Sequence, residues 1–381
     1  MKEYKVGIIG FGFIGKVHAY AYANLPFHFS PLPFRTRITS VCTGGTATAE
    51  VARSFLNADK AVTDFRFITE NPDIDIVNIC SPNDRHAEAL LSAMAAGKHI
   101  YCDKPITATL AEAEKVSAAL PGYRATAQMT FQNRFFPAII RAKQLIDDGF
   151  LGKILEFRAA YFHSGSADPN TPMKWNLSAE RGGGAIADLG SHVLDLLDYL
   201  MGGFASINAV TSIAYADRPA PGKPGERVKV DAEDCVMMLV RMQNGAIGNI
   251  EATKLATGTE DELRLEVHGA QGAIRFNSMD PHHLEIYDTH ASAKPFGGFR
   301  GWCGVDVGQR WDPPATTFPG PKYTMGWARI HIGCLANFLF DVHAGRPGNP
   351  GLLQGIRIQR LLQKVRESAA SGQFTDVGGV A

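Results

Sequence analysis

The first third of the chain is written as short apolar runs, each halted by glycine or a small polar cluster and followed by a stretch of helix formers. Tyr4–Gly10 is the first such run, and its continuous hydrophobicity suits a strand buried on both faces. Gly15–Ala23 follows with no breaker before Pro26 and predicts a helix. Arg37–Cys42, Ile74–Cys80, His99–Cys102 and Tyr123–Met129 read as further strands. Between them, Val51–Leu56 falls in a helix. Asp84–Ala96 forms another, capped by Asp84 and ended by Gly97, and Thr109–Leu120 a third, stopped by Pro121-Gly122. Strands alternating with helices predict parallel βαβ units.

The rhythm changes after Gln132-Asn133-Arg134 and a helix at about 138–148. Leu155, Phe157, Ala159 and Tyr161 alternate with other residues, and Leu263, Leu265 and Val267 alternate with Arg264, Glu266 and His268. This is the period of half-buried strands in an antiparallel sheet with one open face. Asn244-Gly245 between two such runs marks a hairpin, as does Gly269-Ala270-Gln271-Gly272 more weakly. Asp217–Arg227 and a longer stretch, Asp288–Met325, read as loops, and helices close the chain near 328–344 and 352–370. The 381 residues exceed what one hydrophobic core usually serves. The expected division is a first domain over 1–126 and a second over 127–381. The fold class is α/β: a doubly wound parallel sheet first, then an α+β unit on a large, mostly antiparallel sheet.

Composition narrows the function classes. Lys plus Arg and Asp plus Glu both number 38, for a formal charge of zero, which argues against nucleic acid as the main partner. No apolar run is long enough for a membrane span, and the N-terminus enters a strand pattern without the apolar core of a signal peptide. Six scattered cysteines, with no CxxC pair, read as reduced, buried small hydrophobes of a cytoplasmic protein.

The candidate chemistry begins at Gly10, Gly12 and Gly15, which spell G-x-G-x-x-G between a strand and a helix. Gly10 permits the tight turn, Gly12 lets backbone approach a pyrophosphate, and Gly15 lets helix pack on strand, with the helix N-terminus aimed at the anion. Phe13 and Ile14, inside the same turn, join the cofactor contacts. The next strand should end in an acid that holds the adenosine ribose, but Thr43 stands there, followed by Gly44 and Gly45. NAD is favoured and NADP stays open. Two polar clusters follow strands directly: Ser81-Pro82-Asn83, with His86 just beyond, and Asp103-Lys104-Pro105. Ligands bind outside the carboxyl ends of parallel strands, so both clusters should line the crevice of the glycine turn, Lys104 with an ammonium for a substrate hydroxyl. Further on, Arg181 and three glycines enter a helix whose Asp188 and His192, four apart, share a face beside an apolar stripe. His282, His283 and His290 have no metal-ligand spacing, and no metal is expected.

Together these motifs resemble the Gfo/Idh/MocA oxidoreductase family, named for glucose–fructose oxidoreductase and inositol dehydrogenase. GFGFIG at 10–15, SPNDRH at 81–86, AGKHIYCDKP at 96–105 and GGGAIADLGSHVLDLLDYL at 182–200 match its four motifs in order, across nearly the whole chain. The resemblance implies a dinucleotide-binding Rossmann domain over 1–126, a substrate-binding and oligomerisation domain over 127–381 whose sheet mediates a homodimer or homotetramer, and Lys104, Asp188 and His192 as the catalytic lysine, aspartate and histidine. Asp103 replaces the usual Glu, and Asn133 the common Tyr before Arg134. The expected activity is oxidation of a secondary hydroxyl on a sugar, inositol or related polyol. His192 takes the proton, Lys104 steadies the oxygen, and Arg134, His163, Trp175 and Arg181 contact substrate, with His331 within reach. Two alternatives stay open: a lyase that oxidises only transiently, and a silent sugar sensor.

Overall fold

The computed structural model describes residues 1–308, 314–316, 318–320 and 322–378. The first sheet holds β1 (Lys2–Ile9), β2 (Phe34–Cys42), β3 (Lys60–Val62), β4 (Ile76–Ile79), β5 (His99–Cys102) and β6 (Ala127–Met129). All pairs are parallel, in the order β3-β2-β1-β4-β5-β6. The helices between them are α1 (Phe13–His28), α2 (Thr46–Leu56), α3 (Arg66–Thr69), α4 (His86–Ala95) and α5 (Leu110–Ala119). This is a Rossmann fold, and the strand order reverses between β1 and β4.

Three local expectations are corrected. Helix α1 runs through Pro26 to His28, because a proline in the last turn costs a single bond and the Phe29 amide still closes on the Leu25 carbonyl at 3.0 Å. Strand β2 starts at Phe34, whose buried ring and pairing with Lys2 extend it three residues early. Asp84 does not cap α4. A 3₁₀ turn over Asn83–Arg85 precedes that helix, and Asp84 instead receives the Arg181 Nε–H at 3.0 Å. Thr109 and Glu112 form a reciprocal capping box on α5.

The second unit begins with α6 (Pro137–Asp147) and β7 (Ile154–Phe162), and continues through a π turn over Ile186–Gly190 into α7 (Ser191–Met201). There follow β8 (Phe204–Ser212), β9 (Asp217–Pro219), β10 (Arg227–Lys229), β11 (Cys235–Met242), β12 (Ile247–Thr253), β13 (Glu262–Gly269), β14 (Gly272–Asn277), β15 (His283–Asp288) and β16 (Trp302–Asp306). The chain ends with α8 (Gly326–Ala344), α9 (Leu352–Ser371) and β17 (Thr375–Asp376). The sheet order is β16-β15-β14-β13-β7-β12-β11-β8-β17, antiparallel except where β12 meets β7. Asn244-Gly245 turns β11 into β12 as expected, with Gly245 at φ 89°.

Here too the structure departs from expectation. The Asp217–Arg227 stretch is a hairpin closed by β9 and β10, anchored by the buried Arg218, which donates to the Ser166 and Asp168 carbonyls at 2.7 and 2.6 Å. The supposed loop over Asp288–Met325 contains β16, paired to β15; residues 309–313, 317 and 321 of it lie outside the described residues. Leu155 is exposed, near the start of β7 where its register with β13 shifts. Cys303 is exposed and Cys235 half-buried, so not every cysteine is a core residue.

Core and surface follow the two rhythms. Ile332, Leu335, Phe338 and Leu339 of α8 pack with Tyr4, Val6 and Ile8 of β1, so a helix from the far end of the chain completes the first core. Helices α6, α7 and α9 share a second core with the inner face of the large sheet. The opposite face carries exposed Val210, Met237, Leu239 and Ile247. No helix among the described residues is long and apolar enough to cross a membrane.

Candidate active site

The glycine turn sits where β1 and β4 diverge. Gly10 has φ 96°, and a Cβ there would lie 2.5 Å from the Cys80 and Ser81 backbone. A Cβ on Gly12, by contrast, would meet nothing within 4 Å: the turn leaves space just where α1 begins. That space opens into a cavity of about 1250 Å³. Gly15 does not line it and packs under the Gly10 carbonyl. Open space beside the first N–H groups of a helix fits a dinucleotide pyrophosphate. At the far end of the cavity, Thr43 and Thr48 hydrogen-bond through their hydroxyls at 2.6 Å beside Gly44, Thr63 and Phe65. None of these five residues is charged, so they offer no cation to a 2′-phosphate.

Lys104 follows β5 and donates to the Asp188 main-chain carbonyl at 2.7 Å and to Oδ1 of the same residue at 3.4 Å. Asp188 lies in the π turn, a wide turn often found at functional sites. The turn is fixed from behind. Glu233 accepts the Ile186 N–H at 2.9 Å, and a Cβ on Gly183 would come within 2.6 Å of the Asn176 backbone. The Oδ2 atom of Asp188 meets Lys254 Nζ at 2.9 Å and accepts from Asn176 Nδ2 at 3.3 Å. Burial alone would raise the Asp188 carboxyl, but Lys254, Lys104 and Asn176 outweigh it and hold the group far below the usual carboxylate range. Burial, reinforced by Lys104, pushes the proton affinity of His192 well below its ordinary value of 6.5, and Asp188 opposes this only in part. His192 is therefore a neutral imidazole facing the cavity, its Nδ1 buried without a partner.

The cavity gathers Gly10, Gly12, Phe13, Ile14, Thr43, Ser81, Pro82, Asn83, Asp103 and Lys104 from the first unit with His163, Trp175, Arg181, Asp188 and His192 from the second. Asn83 ties the two by donating to the Gly182 carbonyl at 2.8 Å. Asp103 accepts from Thr130 at 2.6 Å, so it orders its own loop, with no hydrogen bond to the Lys104 ammonium. Besides Gly15, three candidates lie outside the cavity lining. His86 is fully buried behind the wall, bridging the Ser81 and Pro105 carbonyls at 2.8 and 3.0 Å. Arg134 is held in a bidentate pair with buried Asp195 and does not line the cavity. His331 is buried behind Trp327, ring centres 4.3 Å apart.

Sequence reasoning missed several contributors. Tyr161, Asn176, Asp261 and Trp327 line the cavity, Asp261 accepting from His163 at 2.8 Å if the imidazole carries its proton on Nε2. Trp327 of α8 stacks on the exposed Phe13 ring at 5.8 Å. Lys254 follows β12 directly, but that strand belongs to the mostly antiparallel sheet, where the carboxyl ends of strands do not gather, so the rule that found Lys104 does not reach it.

Such a scaffold, a switch-point glycine turn opening on a cavity between a Rossmann sheet and a second unit, is that of a dinucleotide-binding oxidoreductase. Family models agree: one described as "Oxidoreductase family, NAD-binding Rossmann fold" matches residues 4–131, and the "GFO/IDH/MocA C-terminal domain" matches 139–275. The chain belongs to the Gfo/Idh/MocA oxidoreductase family. It is 34% identical over 392 aligned residues to levoglucosan dehydrogenase of Pseudarthrobacter phenanthrenivorans, covering 99% of each chain. It is 29% identical to inositol 2-dehydrogenase of Rhizobium meliloti over 76% of this chain and 81% of that one. Among solved structures, levoglucosan dehydrogenase in complex with NADH and levoglucosan superposes with a TM-score of 0.91 at 33% identity, over 99% of both chains.

Proposed function

We propose that this protein oxidises a secondary hydroxyl of a neutral sugar, inositol or related polyol, passing hydride to NAD. The observation that carries the reading is the convergence of Lys104, Asp188 and His192 on one cavity that begins at the glycine turn. The named activities of the relatives, levoglucosan and inositol dehydrogenase, support the substrate class. So does the lining charge: Arg85, Lys104 and Arg181 stand against Glu88, Asp103, Asp188 and Asp261, a near balance that suits an uncharged polyhydroxy ligand.

NAD, when bound, supplies the hydride acceptor. The Gly10–Gly15 turn would hold its pyrophosphate. Neutral His192 takes the hydroxyl proton as the carbon–hydrogen bond breaks, and its low proton affinity lets it pass that proton on. The Lys104 ammonium donates a hydrogen bond to the same oxygen as negative charge grows there. Asp188 holds Lys104 in place. Trp175 offers an apolar face to the sugar ring. His163 with Asp261 offers a donor and acceptor to its hydroxyls.

The test is a screen of inositols, pyranoses and anhydrosugars with NAD and NADP in parallel, read by nicotinamide absorbance. Reduced cofactor accumulating with NAD and one neutral sugar is expected. A cleaved sugar with no accumulated reduced cofactor would replace this reading with transient-oxidation lyase chemistry, and binding without turnover would replace it with a sensor.

The division of labour between residues 1–126 and 127–381 belongs to the same proposal. So does assembly into a dimer or tetramer through the outer face of the large sheet, where Val210, Met237, Leu239 and Ile247 stand exposed together. Light scattering should give a multiple of the 41.2 kDa chain mass, and Leu239→Arg should lower it; a monomer in the unmodified protein would contradict this.

A further inference from the structure

The mechanism above uses one lysine, but the site holds two. Lys254 follows β12 directly and continues the sheet: its amide donates to the Asp234 carbonyl at 2.8 Å, and its carbonyl accepts from Ser166 at 2.9 Å. Its side chain is only 6% exposed. The ammonium ends 2.9 Å from Asp188 Oδ2 and 3.3 Å from the Asn176 carbonyl. Lys104, 11% exposed, is 3.4 Å from Oδ1 of that carboxylate and closer, 2.7 Å, to the main-chain oxygen. The carboxylate therefore belongs more to Lys254 than to Lys104. A lysine this buried is costly unless matched by charge. Asp188 matches it directly, and Glu233, which braces the π turn, feels the same cation.

We propose that Lys254 is a positioning residue that competes with Lys104 for the Asp188 carboxylate, leaving Lys104 hydrogens free for the substrate oxygen and setting the pH range in which His192 works. This rests on the roles proposed above for Lys104 and His192. The charged and titratable groups facing His192 are Asp188 from the π turn, Lys104 after β5, Tyr161 and His163 at the end of β7, and His331 on α8. Those facing Asp188 are Lys104, Lys254 and Tyr161; those facing Glu233 are Lys254 and, from α9, Arg366. Lys254 thus reaches His192 through Asp188. Without it, Asp188 closes on Lys104 and the cluster loses a cation. Both changes raise the proton affinity of the reacting groups.

The test is the pH profile of kcat/KM for sugar oxidation with NAD in Lys254→Met and Lys254→Arg. In Lys254→Met the limb that rises with pH should move up by about half a unit or more, with kcat falling more than KM changes. Lys254→Arg, which keeps the charge, should bring the limb back at least halfway. An unmoved limb in a folded, NADH-binding Lys254→Met protein overturns the proposal, as does a loss confined to KM. Should Lys254→Met fail to fold, Lys254→Met/Asp188→Asn leaves neither charge unmatched and is compared with Asp188→Asn alone. Coincident limbs support action through Asp188, and a further shift in the double variant overturns it. Lys104→Ala, measured alongside, separates the two levels: near-normal turnover there removes the underlying reading, whereas a large loss there with an unmoved Lys254→Met limb removes only the role of Lys254.

Discussion

Two glycine-rich segments frame the cavity, and they use glycine for opposite ends. At 10–15 the turn is tight behind and empty in front: Gly10 is pressed against the Cys80 backbone, while Gly12 looks into open space. At 182–184 all the space is already taken by protein. Gly182 abuts Ala108, Gly183 abuts the Asn176 backbone and Gly184 abuts Glu233. Each segment then enters a helix that buries a neutral histidine, His18 in the first and His192 in the second. His18 meets Asn78 at 3.0 Å beneath the Rossmann sheet, whereas His192 faces the cavity. A glycine run announces close approach; only the fold tells whether a ligand or the chain itself does the approaching.

Substitutions sharpen that contrast. Gly12→Val should abolish NADH binding, measured by calorimetry, while leaving the melting temperature nearly unchanged, because its side chain enters space the protein does not use. Unchanged affinity would end the assignment of the turn to the pyrophosphate. Gly183→Ala should do the reverse of a clean ligand effect. Its methyl overlaps backbone, so the fold should lose about 1–3 kcal/mol in denaturant melts, with cofactor affinity following only as far as the π turn is displaced. Full stability in that variant would mean that the second run is as open as the first.

Five histidines, the two just compared among them, predict a smaller effect on stability. His18, His28, His99, His192 and His331 all hold their protons less tightly when folded than the ordinary 6.5, and burial is the leading cause for each; His28 is lowered to about 4. Below about 6.5 the unfolded chain therefore binds more protons than the folded one, and stability falls as pH falls. The melting temperature should drop steadily from pH 7 to 5. A flat profile would mean that these imidazoles are not buried neutral.

Much of this was legible beforehand, for physical reasons. Mainly apolar runs such as Ile74–Cys80 suit strands covered on both faces, and alternation in Leu263–Val267 suits a half-covered sheet, so both sheets follow from the pattern. Strand-end clusters place Ser81 and Lys104 because a parallel sheet gathers its carboxyl ends. What stayed hidden depends on contacts distant in sequence. That α8 would cover β1, that Lys254 would meet Asp188, and that Arg134 would be spent on Asp195 are decided by how the two units fold together. Asp84 shows the same limit: a good capping residue by type, it is drawn away by an arginine 97 positions later.

The central claim is that Lys104 meets the reacting oxygen beside bound NAD. Lys104→Ala tests it most directly, with NADH affinity by calorimetry and sugar turnover by nicotinamide absorbance on the same preparation. Affinity should stay nearly intact while turnover falls on the order of a hundredfold or more. Turnover close to that of the unmodified protein would contradict the account.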